Sequence, residues 1–198
     1  SNSLEVFDGT SSPGEDGIFT HPPIIPVGGS NEAAQQISDA VERSLKAGKE
    51  SPAIPILLGG EHTLTVPAAG AVQRFYAHAG DVGVVYFDGR GDLRYEYNER
   101  TDLHFSVARR IHEDIGMSLV QVGTRRLSPE EVIYRSANGP GSSTPITSFD
   151  AKELVTDRVS HIELPDTVPE RVYVSIDLTV FDPSIVAAVE TPVPGGLG

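Results

Sequence analysis

Four residues that can bind a metal ion follow apolar runs of this chain: His62, Asp88, Asp92 and Asp177. Carboxylates that crowd together repel each other, so three aspartates and a histidine in one place favour a bound cation. The chain has no cysteine, so any metal must take nitrogen or oxygen ligands. An oxygen-rich set with one imidazole suits Mn²⁺ or a similar hard ion better than copper or zinc.

Each of these residues also has an ordinary structural explanation. The Gly59-Gly60 pair before His62 is typical of a turn, and Asp88 could cap the turn that follows it. Arg90-Gly91-Asp92 matches the cell-adhesion tripeptide, an interpretation that requires an exposed loop tip. The set as a whole is more specific than any of its members, and it points to a metal site.

Alternating helices and strands are expected to position these residues. Apolar residues that recur every four positions predict a helix at about 31–46, and further helices are predicted at about 65–78, at about 102–114 and from Ser128. Strands are predicted at 53–58, 82–88, 118–123 and 172–177, and loops rich in Gly, Pro and Ser at 8–31 and 136–145.

The predicted strands are almost continuously apolar, which is typical of a parallel sheet with helices on both faces. We therefore predict a doubly wound α/β fold, with 1–198 as a single domain. Ligands of such folds bind beyond the carboxyl ends of the strands, so His62 and the three aspartates should meet at one edge. No helix follows the last strand before the loop-like end at 194–198. We therefore expect the domain to be incomplete at both ends and truncated before its C-terminal part.

The composition limits the class of protein. A chain of 198 residues can bury a sizeable core, and a hydrophobic fraction of 38% is ordinary for a soluble globular protein. The net charge of −13 argues against nucleic acid or an anionic membrane as a partner. No apolar run approaches the roughly 18 residues of a membrane-spanning helix. A cytoplasmic location fits the absence of cysteine.

In three motifs that occur in the same order, the sequence resembles the ureohydrolases, the family of arginase and agmatinase. The motifs are Gly59-Gly60-Glu61-His62, Asp88-x-x-x-Asp92 and Ser175-Ile176-Asp177-x-x-x-x-Asp182-Pro183, followed by Thr191-Pro192-x-Pro194-Gly195-Gly196-Leu197. The resemblance extends over 50–197, includes Val122-Gly123-Thr124-Arg125, and is closer to agmatinases than to arginases. It implies a three-layer α/β/α fold, a homo-oligomer (trimer or hexamer), and two Mn²⁺ ions whose bridging hydroxide releases urea from a small guanidino compound.

The resemblance assigns the ligands of the first metal to four residues: His62, Asp88, Asp92 and Asp177. It implies that Asp88 and Asp177 are shared with the second metal and that Asp88 is thus also catalytic. Arg90 and Thr179 stand where the remaining histidine and aspartate of the second metal are expected, so that site is degenerate. His104 matches a histidine that transfers protons or contacts substrate, although Leu103 and Phe105 beside it depart from the family's residue types. Residues that bind the substrate are not identified.

Arg90 changes the charge of the predicted site. Asp88, Asp92 and Asp177 contribute −3 and Arg90 contributes +1, which leaves −2, the charge that one divalent ion balances. An arginine side chain stays protonated and does not ligate a metal, so its guanidinium could stand where the second ion would lie. Two alternatives stay open: an empty site with Arg90 in solvent, and a two-ion site rebuilt from other ligands. One Mn²⁺ ion is favoured over two.

Two functions are compatible with these residues. The first is an agmatinase- or arginase-like, metal-dependent hydrolase of linear amidines with altered or impaired activity, since one ion acidifies water less than two. The second is a non-catalytic subunit with a regulatory or structural role. Glu190, where the family usually has glycine, is a further departure next to the site.

Overall fold

A computed structural model describes residues 18–48, 52–97, 99–159 and 161–198 of the chain. They contain a four-stranded parallel sheet with the order β3-β2-β1-β4. The strands are β1 Val82–Phe87, β2 Leu119–Val122, β3 Ile146–Phe149 and β4 Arg171–Ile176. The strands predicted at 82–88, 118–123 and 172–177 are thereby confirmed, with each end within one residue.

The described residues also form five α-helices: α1 Ser30–Lys46, α2 Thr65–Tyr76, α3 Val107–Arg110, α4 Pro129–Ala137 and α5 Ala151–Thr156. The helices predicted at 31–46, at 65–78 and from Ser128 are confirmed. At the start of α4, the Glu131 N–H donates to Ser128 Oγ at 3.4 Å and the Ser128 N–H donates to Glu131 Oε2 at 2.6 Å. This reciprocal pair satisfies two N–H groups that a helix start otherwise leaves without partners.

The helix predicted at 102–114 begins later and is not uniform. A 3₁₀ turn at His104–Ser106 leads into α3, and a π-helical turn at Ile111–Ile115 follows. Gly116 ends this turn with a φ of 80°, a backbone conformation that glycine adopts without strain. The Arg109 N–H donates to the Asp92 carbonyl at 3.0 Å, which joins α3 to the loop after β1.

Helices cover both faces of the sheet, as predicted. On one face the side chains of Val82, Val84 and Tyr86 pack in a core with α1, α2 and α3. On the other face Val85 of β1 packs with β2 and with Leu154 of α5. Within the residues that the structure describes, the second face is uncovered at β4, where Val172, Val174 and Ile176 are exposed. Among the described residues, no helix is both long and apolar enough to cross a membrane.

The prediction of a strand at 53–58 is wrong. In the described part of the chain, 52–59 forms no ladder with another strand. Alternate side chains point outward, and Ile54, Ile56 and Leu58 are 88%, 83% and 94% exposed, while Leu57 packs against the core. An apolar run becomes a strand only when another strand pairs with it, and none of the described strands pairs with this segment.

The sequence analysis missed two short elements, β3 and α5. The sequence of β3, Ile146-Thr147-Ser148-Phe149, is half polar, and only Ile146 is buried. It is a strand because it pairs with β2 at the edge of the sheet. The loop predicted at 136–145 is confirmed from 138 onward. In the other predicted loop, 18–29 carries no helix or strand, and 8–17 lies outside the described residues.

Candidate metal centre

Two neighbouring strands place Asp88 and Asp177 side by side. Asp88 follows β1 and Asp177 follows β4, and the ladder between these strands continues into the aspartates. The Asp177 N–H donates to the Phe87 carbonyl at 2.8 Å, and the Asp88 N–H donates to the Val122 carbonyl at 3.1 Å. Both aspartates therefore lie at the carboxyl edge of the sheet, as expected.

His62 lies at the start of a 3₁₀ turn before α2 and faces these carboxylates. Its Nδ1 is 3.3 Å from Asp88 Oδ2, 3.4 Å from Asp177 Oδ2 and 3.6 Å from Asp92 Oδ2. The other ring nitrogen, Nε2, lies 3.1 Å from Ser175 Oγ. In the tautomer with the proton on Nε2, this nitrogen donates to Ser175 and leaves Nδ1 free for a cation.

The residues present fit a divalent cation. One ligand atom from each of His62, Asp88 and Asp177 lies within 4.8 Å of the others. Asp88 and Asp92 are 0% and 1% exposed, and Asp88 Oδ2 and Asp92 Oδ1 have no hydrogen-bond partner among the described residues. Buried carboxylate oxygens without partners are strongly unfavourable unless a cation compensates them. Three of the predicted ligands, His62, Asp88 and Asp177, thus converge around a space where a positive ion would be stabilised, and Asp92 Oδ2 lies 3.6 Å from His62 Nδ1.

The carboxylates of Asp88 and Asp92 are electrostatically unequal. Burial, and then the charge of Asp88, raises the pKa of Asp92 well above its ordinary value. Burial also acts on Asp88, but the proximity of His62, followed by the hydrogen bond from the Arg90 backbone N–H, holds the pKa of Asp88 below its ordinary value. The negative charge of one carboxylate opposes ionisation of the other, and a bound cation would keep both Asp88 and Asp92 deprotonated.

Thr179 binds the Oδ1 atoms of Asp88 and Asp177, the oxygens that do not face His62. Its hydroxyl donates to Asp88 Oδ1 at 2.9 Å, and its N–H donates to Asp177 Oδ1 at 2.7 Å. The Arg90 N–H also donates to Asp88 Oδ1, at 2.9 Å. Each carboxylate therefore has one oxygen engaged within the protein and one oxygen facing His62.

The side chain of Arg90 lies against the carboxylates and is only 12% exposed. Its Nε is 3.6 Å from Asp92 Oδ1, and its Nη2 is 3.9 Å from Asp177 Oδ2. Nη1 donates to Thr191 Oγ1 at 2.6 Å, which fixes the far end of the guanidinium. Although burial opposes it, the charges of Asp92, Asp88 and Asp177 raise the pKa of Arg90, so the group carries a full positive charge. The structure therefore places this charge at the centre and not in solvent.

Tyr86 is a site residue that the sequence analysis missed. Its side chain is 0% exposed, and its hydroxyl donates to Asp92 Oδ2 at 2.9 Å. Burial, followed by the charges of Asp92 and Asp88, raises the pKa of Tyr86, so the hydroxyl keeps its proton. The only signal in the sequence is a hydroxyl group within the apolar run that precedes Asp88.

Buried polar groups hold the loop that carries Asp92. Gln121 Nε2 donates to the Gly91 carbonyl at 2.7 Å, and the Leu93 N–H donates to Glu131 Oε1 at 3.0 Å. Asp92 itself has a φ of 48°, in the left-handed region that a residue with a Cβ rarely adopts. Such a conformation persists only where the surroundings enforce it, and it is frequent at functional sites.

His104, predicted as a proton-transferring residue, lies at the rim of the centre. Its Nδ1 is 3.8 Å from Glu61 Oε1, and Glu61 directly precedes His62. The catalytic role of His104 stays a prediction. Asp182 of the third motif has a structural function, because its carboxylate accepts the N–H groups of Ser184, Gly195 and Gly196 at 3.0, 2.8 and 3.3 Å. These bonds lower the pKa of Asp182 to about 2.

Comparisons with known proteins agree on one family. A model of the arginase family matches residues 5–198. The agmatinase of Pyrococcus horikoshii is 37% identical over 167 residues, which are 82% of this chain and 53% of that protein. The N(1)-aminopropylagmatine ureohydrolase of Thermococcus kodakarensis is 36% identical over 86% of this chain and 53% of its own length. The solved arginase of Medicago truncatula is 29% identical, with a TM-score of 0.72, over 86% of this chain and 51% of that structure. The chain thus spans about half the length of these relatives.

Proposed function

The chain belongs to the arginase family, and we propose that the whole protein hydrolyses a linear amidine, converting a guanidino compound and water into an amine and urea. In this proposal, residues 1–198 form part of a single ureohydrolase domain. The agmatinase and aminopropylagmatine ureohydrolase relatives support agmatine-like substrates, in which the guanidino group is carried on a polyamine chain. We further propose that the protein is a cytoplasmic homo-oligomer, a trimer or hexamer.

One Mn²⁺ ion is proposed at the centre, and a single observation supports this number. Thr179 and the Arg90 N–H occupy the Oδ1 atoms of Asp177 and Asp88, so these carboxylates each keep only one oxygen for a metal. The free ligand atoms are His62 Nδ1, Asp88 Oδ2, Asp177 Oδ2 and Asp92 Oδ1. When bound, the ion would polarise the substrate and acidify a water molecule.

The chain's own residues shape the rest of the reaction. Asp88, Asp92 and Asp177 contribute three negative charges, which Arg90 and one divalent ion would balance, so little net charge remains to attract a cationic guanidino substrate. Arg90 repels such a substrate, since its guanidinium lies within 4 Å of Asp92 and Asp177. At an effective dielectric constant of about 20, two like charges about 4 Å apart repel by about 4 kcal/mol. Activity on a cationic substrate is therefore expected to be weaker than in a centre without Arg90.

A second candidate function is a non-catalytic subunit that keeps the fold and one ion. The observation that favours it is the same position of Arg90, which takes the space and the charge of a second cation. In this case the ion stabilises the protein and no guanidino compound is hydrolysed. The two candidates share the metal centre and differ only in turnover.

Metal analysis and urea release on the same preparation test both candidates. The whole protein is purified with Mn²⁺, its bound manganese is counted, and it is assayed with agmatine, N(1)-aminopropylagmatine and arginine. We expect one ion per chain and slow urea release. Asp92→Asn should lose the ion, while Glu153→Gln on the exposed side of α5 should keep it.

The outcomes separate the candidates. Bound manganese without urea from any substrate favours the non-catalytic subunit. Wild-type protein that holds no manganese, or an Asp92→Asn variant that holds as much as wild type, contradicts the proposed centre.

A further inference from the structure

The guanidinium of Arg125 lies among backbone carbonyl groups at the same edge of the sheet. In the described part of the chain its hydrogen-bond acceptors are all carbonyl oxygens: those of Gly123, Thr179, Val180, Phe181, Val193 and Pro194. The Nη2 bond to Thr179 is 2.7 Å long, and the Nη1 bond to Gly123 is 3.0 Å long. These carbonyls belong to three segments that follow β2, follow β4, and run through 193–194.

Only an arginine can satisfy this arrangement. Its guanidinium has five N–H donors in a rigid plane, whereas a lysine has three donors on one nitrogen. Space for the guanidinium depends on Gly89, because a Cβ there would lie 2.7 Å from the Thr179 carbonyl oxygen and 3.0 Å from Arg125 Nη1. The Gly89 carbonyl in turn accepts the backbone N–H groups of Arg125 and Arg126, both at 3.1 Å.

Arg125 therefore contacts the loops on both sides of the metal centre. Its backbone holds Gly89, the residue after Asp88, and its side chain holds Thr179, two residues after Asp177. Thr179 then fixes one oxygen of each aspartate through its hydroxyl and its N–H. Without the guanidinium, the turn at Leu178–Val180 would lose its hydrogen bonds to the segment after β2.

We propose that Arg125 is a positioning residue for the metal centre, acting through Thr179 to aim the free oxygens of Asp88 and Asp177 at the ion. This rests on the proposed function, since the ion itself belongs to that proposal. A second route supports it: the Val193 and Pro194 carbonyls bind Arg125, and this segment leads to Thr191, which holds Arg90. Arg125 thus sets both the ligands and the positive charge beside them.

Mn²⁺ affinity of folded protein distinguishes positioning from a general structural role. Arg125→Lys in the whole protein keeps the charge and removes the planar set of donors. Its dissociation constant for Mn²⁺, measured by electron paramagnetic resonance of the free ion, should rise about 10- to 100-fold, as for other residues that orient metal ligands. The matched control is Arg135→Lys, which breaks a two-bond ion pair with Asp150 (2.8 and 2.9 Å) outside the centre. It should bind Mn²⁺ like wild type.

Thr179→Val gives a second test that does not depend on the folding of the Arg125 variant. As a single substitution it removes the hydroxyl bond to Asp88 and should weaken Mn²⁺ binding. Combined with Arg125→Lys, it should weaken Mn²⁺ binding little further, because both substitutions act on the same bond. Wild-type affinity in folded Arg125→Lys or in Thr179→Val overturns the proposal, as does an equal loss in Arg135→Lys.

Failure of the metal proposal itself is recognised separately. If wild-type protein binds no Mn²⁺, the proposed function fails, and hydrogen exchange of the Thr179 N–H in the metal-free protein decides the role of Arg125. Faster exchange in Arg125→Lys than in Arg135→Lys supports positioning of this turn, and equal exchange overturns it.

Discussion

A second metal ion should bind when Arg90→His and Thr179→Asp are combined. The centre has a charge of −3 + 1 = −2 from Asp88, Asp92, Asp177 and Arg90. Replacing the arginine with a neutral histidine gives −3, and adding a carboxylate gives −4, which two divalent ions balance. The hydroxyl bond between Thr179 and Asp88 Oδ1 also disappears, which removes one of the two hydrogen bonds that this oxygen accepts and lets a second ion approach it.

The repulsion between the new carboxylate at position 179 and that of Asp88 can be estimated from their separation. Thr179 Oγ1 is 2.9 Å from Asp88 Oδ1, so a carboxylate at this position lies close to that of Asp88. At about 4 Å and an effective dielectric constant of about 20, this repulsion is about 4 kcal/mol. The double variant without metal should therefore unfold at a lower denaturant concentration than wild type, and excess Mn²⁺ should reverse the loss.

The assay counts manganese per chain and measures urea-induced unfolding with and without chelator. We expect one ion in wild type and in each single variant, and two ions in the double variant. A double variant that is folded in Mn²⁺ but still holds one ion refutes the reasoning that Arg90 and Thr179 exclude the second ion. Adding Asp92→Asn to the double variant is the control that the counted ions occupy this centre.

Three further outcomes are expected from single substitutions. Tyr86→Phe removes the hydroxyl bond to Asp92 (2.9 Å) and should weaken Mn²⁺ binding about 10- to 100-fold; an unchanged dissociation constant would mean that this bond does not orient the carboxylate. The pKa of Asp182 falls from an unfolded value near 3.9 to about 2, so its stabilising effect is complete above about pH 4 and is lost as the pH falls towards about 2. Melting temperatures of wild type and Asp182→Asn should therefore converge over this range, and parallel curves would contradict it. Gly196→Ala places a Cβ 2.6 Å from the Asp182 nitrogen and should lower the free energy of unfolding by about 1–3 kcal/mol. Gly198→Ala, whose Cβ would have no atom of the described residues within 4 Å, should leave it unchanged.

The parallel sheet could be predicted because its signals are local. The apolar runs of β1, β2 and β4 are bounded by polar residues and separated by helical periodicity, and all three strands form where predicted. The segment 53–58 has an equally apolar run but is not a strand. Pairing depends on a neighbour elsewhere in the chain, and the run itself carries no information about that neighbour.

The convergence of the aspartates that follow β1 and β4 could be predicted for a similar reason, since parallel strands bring their carboxyl ends to one edge. The groups that orient them could not. In the sequence, Tyr86 has the pattern of an ordinary core residue and Gln121 lies within a predicted strand. In the structure, both side chains bind the loop that carries Asp92. Arg125 is 54 residues from Thr179, and only the folded chain shows that its guanidinium holds that turn. The Gln121 and Arg125 contacts join distant residues through backbone carbonyls, which every residue has.

The backbone of Asp92 also governs how this centre can be lost during evolution. A φ of 48° is tolerated by aspartate, asparagine and glycine and is strained for β-branched residues. Aspartate and asparagine codons differ by one nucleotide, and the asparagine side chain has almost the same shape. A descendant can therefore lose a carboxylate here in one step while its loop keeps its conformation. The backbone at Asp92 would therefore allow a carboxylate of the centre to be lost without a change in the conformation of the loop.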